Sequence, residues 1–284
     1  MSELIALPEL NSAQFLYGVP VYYFNPQSVY EGLSVINPTW PSAQGCVYCC
    51  REAGGERRSV VIKKYLFIEY ETSTELIENE IYIMAKCAPH PNILQLQSIY
   101  IYDSYIFLVT PFCDGGTLHQ YCIDNHVTLP QMAFILKGLV SGLSEIHKND
   151  GIHRDIKCEN VFLGKDNTIV IGDFGVSSLK PTVDSSVEKA GVILFWAPEV
   201  CECKKIDLKA DIWALGIVVL EMLNHGKAPY EDNGLEDEEI KRKIIQQDRP
   251  PFPENMDSQL VDFMDQCFKR DPEQRASTSE LLKV

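Results

Sequence analysis

The sequence contains neither a long apolar segment nor an excess of positive charge. No apolar run approaches the roughly 20 residues that a membrane-spanning helix needs, and the opening MSELIALPEL has no basic residue of the kind that begins a signal peptide. The formal net charge is −15, which disfavours nucleic acid and anionic membrane surfaces as partners. We therefore expect a globular protein that binds neither nucleic acid nor membrane.

The sequence is also poor in patterns that would indicate a disulfide framework or a zinc site. Its ten cysteines are scattered over 284 residues, unlike the dense framework of a small secreted domain. Cys46, Cys49 and Cys50, and the pair Cys201 and Cys203, have no matching Cys or His pair at the spacing of zinc ligands. These patterns predict reduced thiols, a cytoplasmic location and no zinc.

The distribution of apolar residues predicts an α+β fold with three regions. Prolines among aromatic residues suggest an irregular N-terminal extension at residues 1–30. Residues 31–110 are mostly strand-like, with one amphipathic helix at Ser73–Cys87. Residues 111–284 are mostly helical, and Ala210–Leu223 is apolar nearly all round, as in a buried central helix.

Shorter segments can be assigned in the same way. The predicted strands are Leu33–Ile36, Cys46–Cys50, Ser59–Lys64 and two strands within Ile101–Thr110, joined by a turn at Asp103 and Ser104. The further predicted helices are Met132–Lys148 and Gln259–Lys269, and the acidic run Glu236–Glu239 is a solvated helix start.

Several short motifs follow one another in a fixed order along the chain. They are VVIK at Val60–Lys63, HPNI at His90–Ile93, IHRDIKCEN at Ile152–Asn160, DFG at Asp173–Gly175, APE at Ala197–Glu199, DIWALG at Asp211–Gly216, and Arg275 near the end. The series resembles the signature set of the eukaryotic protein kinases over roughly residues 30–284. One such motif alone would be weak, but the ordered series is specific.

The resemblance implies a two-lobed protein kinase fold, with a small β-rich lobe that carries one key helix and a larger helical lobe. It implies transfer of the γ-phosphate of ATP to a protein substrate, with ATP and Mg²⁺ as cofactors. Lys157 in HRDIKCEN resembles the serine/threonine enzymes, of the sterile-kinase or never-in-mitosis-like sort, and not the tyrosine kinases.

The resemblance also assigns roles in phosphoryl transfer to individual residues. Asp155 would accept the proton of the substrate hydroxyl, and Lys157 would lie beside the transferred phosphate. Asn160 and Asp173 would hold magnesium through hard oxygen ligands.

A lysine and a glutamate complete the predicted catalytic set. Lys63 would contact the α- and β-phosphates of ATP and pair with Glu80. Glu78 is the competing carboxylate, but it lies two positions away and so projects about 200° round the helix.

The predicted nucleotide pocket draws on both lobes. Val47, Val61 and Phe162 would enclose the adenine, and Thr110 would flank it. The full set of predicted nucleotide-binding residues is Gly45, Val47, Val61, Lys63, Thr110, Phe112, Cys113 and Phe162.

Further matches concern support for the site. An apolar stack of Phe174, His153, Met84 and Leu96 would be anchored by Asp211. Glu199 would form an ion pair with Arg275.

The glycine loop that usually covers the phosphates is depleted in this chain. Gly45 matches its last glycine, but Trp40 and Ser42 occupy the first two glycine positions and Pro41 removes a backbone N–H. The loop also carries an insertion of about three residues within Asn37–Gln44. We therefore expect ATP in the usual position but bound weakly.

A second departure concerns the residue after Gly191. Serine/threonine kinases have threonine there, whereas this chain has Val192, which cannot hydrogen-bond the catalytic aspartate and lysine. Two functional classes thus stay open: an active protein kinase, or a pseudokinase scaffold that binds partners with weak or no catalysis. Retention of Lys63, Asp155 and Asp173 favours the active enzyme.

Charge suggests a basic protein substrate, because Glu159 would face the bound peptide and the net charge of −15 would add steering. The alternative is that these carboxylates serve only solubility.

In the activation loop, Glu188 could pair with Arg154 in place of a phosphate, or Thr182, Ser185 and Ser186 could be phosphorylated. The oligomeric state is not predicted.

Overall fold

The structure is a computed structural model that describes residues 14–33, 40–42, 45–54, 57–66, 72–179, 191–231 and 234–283. The chain divides into two compact units. The first consists of Met1–Glu75 and Gln95–Phe112, and the second of Leu76–Leu94 and Cys113–Val284. The lobe boundary at residue 110 stays a prediction.

The first unit is built on one sheet of eight described strands. They are β1 (Gln14–Leu16), β2 (Val19–Tyr22), β3 (Tyr30–Glu31), β4 (Trp40–Ser42), β5 (Gly45–Glu52), β6 (Ser59–Leu66), β7 (Ser98–Tyr102) and β8 (Tyr105–Pro111). Their order is β1-β2-β7-β8-β6-β5-β3, with β4 paired to β5. The pairs are antiparallel except for β2 with β7, which is parallel.

Within the irregular extension that we expected at residues 1–30, the described residues 14–30 contain regular strands. Strands β1 and β2 form a hairpin, and β2 extends the sheet through the pairs Val21 with Ile99 and Tyr22 with Tyr100. The ring of Tyr22 lies 5.0 Å from that of Tyr100. Aromatic packing on a neighbouring strand thus explains why this proline-containing segment is ordered.

The two faces of this sheet have different surroundings. One face carries a buried core that includes Tyr48, Val60, Ile62 and Val109. Directly paired residues share a face. Because Val47 pairs with Lys63 and Val61 pairs with both Cys49 and Thr110, the side chains of Val47, Val61, Lys63 and Thr110 lie on the face opposite that core.

The second unit is mainly helical. Its helices are most of α1 (Thr72–Cys87), then α2 (Leu118–Asp124), α3 (Leu129–Lys148), α4 (Pro198–Cys201), α5 (Lys209–Leu223), α6 (Asp237–Gln246), α7 (Ser258–Cys267) and α8 (Thr278–Leu281). A two-stranded sheet joins β9 (Val161–Leu163) to β10 (Ile169–Ile171). Helix α5 is buried from Ala210 to Met222 and forms the centre of the unit.

Local sequence explains most of these boundaries. Helix α3 begins with a capping box between Thr128 and Gln131, and α6 begins at the predicted acidic run, with Glu236 as its N-cap. The β7–β8 turn places Asp103 and Ser104 at positive φ, as a two-residue hairpin loop requires. Of the predicted strand Leu33–Ile36, residues 34–36 lie outside the described residues.

Among the described residues, no helix has the length and apolarity needed to cross a bilayer. All ten cysteines fall within those residues, and all are free thiols.

Candidate active site

The start of the segment from Ile152 to Asn160 is held in place by a buried carboxylate. Asp211 Oδ2 accepts the backbone N–H of His153 at 2.9 Å, and Oδ1 accepts that of Arg154 at 2.8 Å. His147 Nε2 lies 2.9 Å from Asp211 Oδ2. Arg154 has a φ of 69°, so this carboxylate fixes a turn that an arginine would rarely adopt.

The charge of Asp211 is maintained although its carboxyl group is fully buried. Burial raises the pKa of Asp211, but the hydrogen bond and charge of His147, with help from His153 and the Arg154 N–H, bring the pKa below its ordinary value. The ionised form is therefore favoured, and it can accept two backbone hydrogens at once. This anchoring role is the one predicted for Asp211.

Asp155 is held by two partners on the same oxygen. Asn160 Nδ2 donates to Asp155 Oδ2 and to its backbone carbonyl, each at 2.8 Å, and Lys157 Nζ lies 3.2 Å from Oδ2. Oδ1 is buried and has no hydrogen-bond partner among the described residues. A hydroxyl group that approached Oδ1 would therefore find an oriented acceptor with spare capacity.

Lys157 lies between two carboxylates, because Glu159 Oε2 is 3.3 Å from its Nζ. Burial lowers the pKa of Lys157, but Asp155 and Glu159 more than offset this and raise it. Lys157 thus keeps its positive charge at neutral pH, as required of a group that neutralises phosphate oxygens.

The predicted magnesium ligands suit a hard cation. The Asn160 Nδ2 hydrogens are taken by Asp155, so the Asn160 Oδ1 is the atom left for a metal. Asp173 is exposed. Its φ of 57° lies in the left-handed region, which aspartate adopts more readily than most residues. Next to it, Phe174 is fully buried, with its ring 5.0 Å from that of His153.

The nucleotide residues of the first unit share one sheet face, as described above. Gly45 is required there for a reason beyond phosphate binding. A Cβ at this position would collide with the backbone carbonyl oxygen of Lys64. Strand β4 pairs with β5 in antiparallel fashion, with Ser42 opposite Gly45 and Trp40 opposite Val47. The residues at the first two glycine positions of the loop, Trp40 and Ser42, are therefore part of a regular β-ladder.

Other predicted site residues are placed in the second unit. Phe162 is half-buried on β9, and its ring occupies the space that a side chain at Gly172 would fill. Cys113 is half-buried, and burial raises the pKa of its thiol to about 11, so it stays protonated at neutral pH.

The two candidate glutamates of helix α1 differ in burial. Glu80 is buried, whereas Glu78 is only half-buried. Lys63 belongs to the first compact unit and Glu80 to the second, so their ion pair stays a prediction, as does any contact of Phe112 with a nucleotide.

Comparison with known proteins identifies the family. A model of the protein kinase domain matches residues 43–284. The serine/threonine-protein kinases shk1/pak1 of Schizosaccharomyces pombe and STE20 of Saccharomyces cerevisiae are each 32% identical over 263 residues, which is 91% of this chain. PakF of Dictyostelium discoideum, also a serine/threonine-protein kinase, is 36% identical over 217 residues, or 75% of the chain.

The chain belongs to the protein kinase family. It covers only part of these relatives, namely 38% of shk1/pak1, 27% of STE20 and 18% of pakF. The family also fits the architecture, a sheet-rich unit and a helical unit.

A buried ion pair stabilises the helical unit of this kinase domain. Arg275 NH1 and NH2 donate to Glu199 Oε1 and Oε2 at 2.6 and 2.9 Å. The arginine side chain is fully buried and that of the glutamate nearly so. The structure thus confirms the predicted pair and shows that it is bidentate.

Sequence reasoning missed one residue near the catalytic segment, Glu221. It is a buried acid in the apolar helix α5, and it accepts the backbone N–H of Cys158 at 2.9 Å. An acidic residue within an otherwise apolar helical run is the signal that could have drawn attention to it. The activation-loop residues Thr182, Ser185, Ser186 and Glu188 lie outside the described residues.

Replacing Val192 with threonine should raise the turnover of the kinase. The backbone passes close to the Asp155 carboxylate here, because a Cβ on Gly191 would lie 3.0 Å from Asp155 Oδ1. Val192 is 38% exposed and offers no donor. One added hydrogen bond of about 1 kcal/mol corresponds to about fivefold in kcat. Steady-state phosphorylation kinetics would measure it, with Val192→Ala as control; equal rates for the two variants would contradict the prediction.

Proposed function

We propose that the chain is a magnesium-dependent protein kinase domain that transfers the γ-phosphate of ATP to serine or threonine residues of a protein substrate. The observation that supports this most directly is the state of Asp155. One carboxylate oxygen is fixed by Asn160 and Lys157, and the other is buried without a partner in the described part of the chain. A catalytic acceptor needs this combination of fixed orientation and spare capacity.

Different residues of the chain have separate roles in the proposed reaction. Asp155 orients the substrate hydroxyl and accepts its proton through Oδ1, while Asn160 and Lys157 prevent the carboxylate from rotating. Lys157 carries a positive charge to the transferred phosphoryl group, and Lys63, paired with Glu80, does the same at the α- and β-phosphates. Magnesium, held by Asn160 and Asp173, would neutralise the phosphate oxygens.

Serine/threonine specificity rests on two supports. Lys157 follows the catalytic aspartate by two positions, in the arrangement that resembles serine/threonine enzymes. The relatives reported above are all named serine/threonine-protein kinases. Phospho-amino-acid analysis of a labelled substrate would test this part of the proposal.

The experiment that tests the activity is transfer of label from γ-labelled ATP to generic basic proteins in the presence of magnesium. The wild-type chain should label the substrate, and Asp173→Ala should not, because it removes a magnesium ligand. If both proteins label the substrate equally, the observed activity does not come from this site. If neither does while ATP still binds, the pseudokinase hypothesis replaces the enzyme.

A preference for basic substrates is the second part of the proposal. The Glu159 side chain is 57% exposed although it also contacts Lys157, so it can meet a substrate side chain next to the catalytic group. The net charge of −15 would steer basic peptides towards the chain at low salt.

Substitution of Glu159 with alanine should weaken that preference. A surface charge pair is worth about 0.2–1 kcal/mol, so enrichment of Arg or Lys in a peptide library should fall by about 1.4- to fivefold. The matched control is Glu273→Ala, which removes an exposed glutamate elsewhere. A library without basic enrichment in the wild type, unchanged by Glu159→Ala, would contradict the proposal.

We also propose a cytoplasmic location. The ten free thiols support it, since reducing compartments keep cysteines unpaired. Fractionation of cells with an antibody against the native protein would test it.

A further inference from the structure

Helix α5 carries a buried acid that faces the catalytic segment. Every residue of α5 from Ala210 to Met222 is buried, and Glu221 lies near the C-terminal end of this run. A carboxyl group in such surroundings needs a hydrogen-bond partner, because burial without one costs several kcal/mol. Its partner is the backbone N–H of Cys158, 2.9 Å from Oε2.

Cys158 occupies a central place in that segment. It begins the 3-10 helix Cys158–Asn160, directly after Lys157. Asn160, at the other end of this short helix, holds both the backbone and the side chain of Asp155. A displacement of Cys158 would therefore be passed to Asn160 and, through it, to Asp155.

We propose that Glu221 is a positioning residue for phosphoryl transfer: its carboxyl group fixes the 3-10 helix Cys158–Asn160 by accepting the Cys158 N–H. This inference rests on the proposed function. Asp211 holds the start of the segment at His153 and Arg154, and Glu221 holds its end. The two acids of α5 thus hold the catalytic segment at two points, one near its start and one near its end.

The charges around Glu221 explain why the neutral form is the working one. The titratable groups that act on it are Cys158 and Glu159 from the 3-10 helix and Glu231 from the segment after α5. Cys122 of α2 contacts the Cys158 thiol. Burial raises the pKa of Glu221 to about 8, and Glu159 and Glu231 add to the shift, while hydrogen bonds from Cys158 oppose it.

The sign of the pH effect follows from that shift. Below pH 8 the carboxyl group is neutral and can stay buried against Cys158. Above pH 8 it loses its proton, and a buried negative charge near two other carboxylates favours entry of water and separation from the helix. The hold on Asn160 and Asp155 should therefore weaken as the pH rises through about 8.

Two variants of Glu221 test the proposal through kinetics. Glu221→Gln keeps an oxygen acceptor of the same size without a titrating proton, and Glu221→Leu removes the acceptor. At pH 7 we expect kcat of Glu221→Gln within threefold of wild type and kcat of Glu221→Leu at least tenfold lower, with the KM for ATP changed less than twofold. Between pH 7 and 9 the kcat of wild type should fall and that of Glu221→Gln should not.

Glu231→Gln is the matched control for loss of a nearby charge, since this exposed residue accepts the backbone N–H of Ala228, outside the 3-10 helix. It should keep the alkaline decline of the wild type, displaced by less than half a pH unit. A wild-type kcat in Glu221→Leu, or an alkaline decline that persists in Glu221→Gln, would overturn the proposal.

Amide hydrogen exchange at Cys158 provides a measurement that needs no catalysis. Its protection factor in the wild type should fall at least tenfold between pH 7 and 9, should stay within twofold in Glu221→Gln, and should be low at pH 7 in Glu221→Leu. Equal protection in all three proteins would overturn the proposal. If protection behaves as expected but the wild type transfers no phosphate, the proposed function fails while the hold of Glu221 on the segment is supported.

Discussion

Asp155→Asn should lower kcat by about 10³-fold while nucleotide binding is retained. General-base catalysis contributes about 10²- to 10⁴-fold, and 10³-fold corresponds to about 4 kcal/mol of transition-state stabilisation. Asparagine is isosteric, but its amide cannot take up the substrate proton. It would also place an NH₂ group either towards Lys157 and Asn160 or towards the incoming hydroxyl.

Three measurements separate this effect from general damage. Single-turnover phosphorylation gives the chemical rate, titration with ATP and magnesium gives the nucleotide affinity, and thermal unfolding reports the fold. Asp262→Asn, which changes an exposed aspartate on α7, is the matched control and should leave all three unchanged. If Asp155→Asn phosphorylates substrate at more than a tenth of the wild-type rate, Asp155 is not the proton acceptor.

Arg275→Met should destabilise the helical unit by about 3–5 kcal/mol, the usual cost of removing one partner of a buried ion pair. The arginine donates to both oxygens of Glu199, to the Lys269 carbonyl at 2.9 Å and to the Lys209 carbonyl at 2.7 Å. Without it, the Glu199 carboxylate remains buried with its charge uncompensated.

Chemical denaturation at neutral pH would measure the loss in the free energy of unfolding. The double variant Arg275→Met with Glu199→Leu should recover part of the stability, because no charge is then left buried. As a matched control, Arg58→Met breaks the exposed pair with Glu52, where the arginine side chain is 68% exposed, and should cost less than about 1 kcal/mol. A loss no larger at Arg275 than at Arg58 would show that the buried pair does not stabilise the domain.

The elements most easily predicted were those whose pattern is local. The apolar run of α5, the periodicity of α3 and the Asp103–Ser104 turn each depend on residues within a few positions of one another, and the structure shows all of them close to the expected bounds. Candidate catalytic residues could be proposed because the ordered motifs resemble those of the protein kinases, and phosphoryl transfer requires a small set of positioned charges.

Local patterns failed where partners are distant in sequence. Prolines and aromatics at the N-terminus suggested irregular structure, but β2 is ordered by parallel pairing with β7, more than 70 residues later. Gly45 matched a phosphate loop, whereas its need for glycine comes equally from the Lys64 carbonyl across the sheet. Neither pairing leaves a periodic signal in its own segment.

The sequence by itself determined the family and the division into a strand-rich and a helical region, because these depend on ordered motifs and on local periodicity. Only the tertiary structure decided how those groups are held. It showed that one oxygen of Asp155 has no partner among the described residues. It also placed Glu221 against Cys158, a contact between residues 63 positions apart. Such contacts arise when helices pack around a common core, and they cannot be derived from the spacing of residues along one helix or loop.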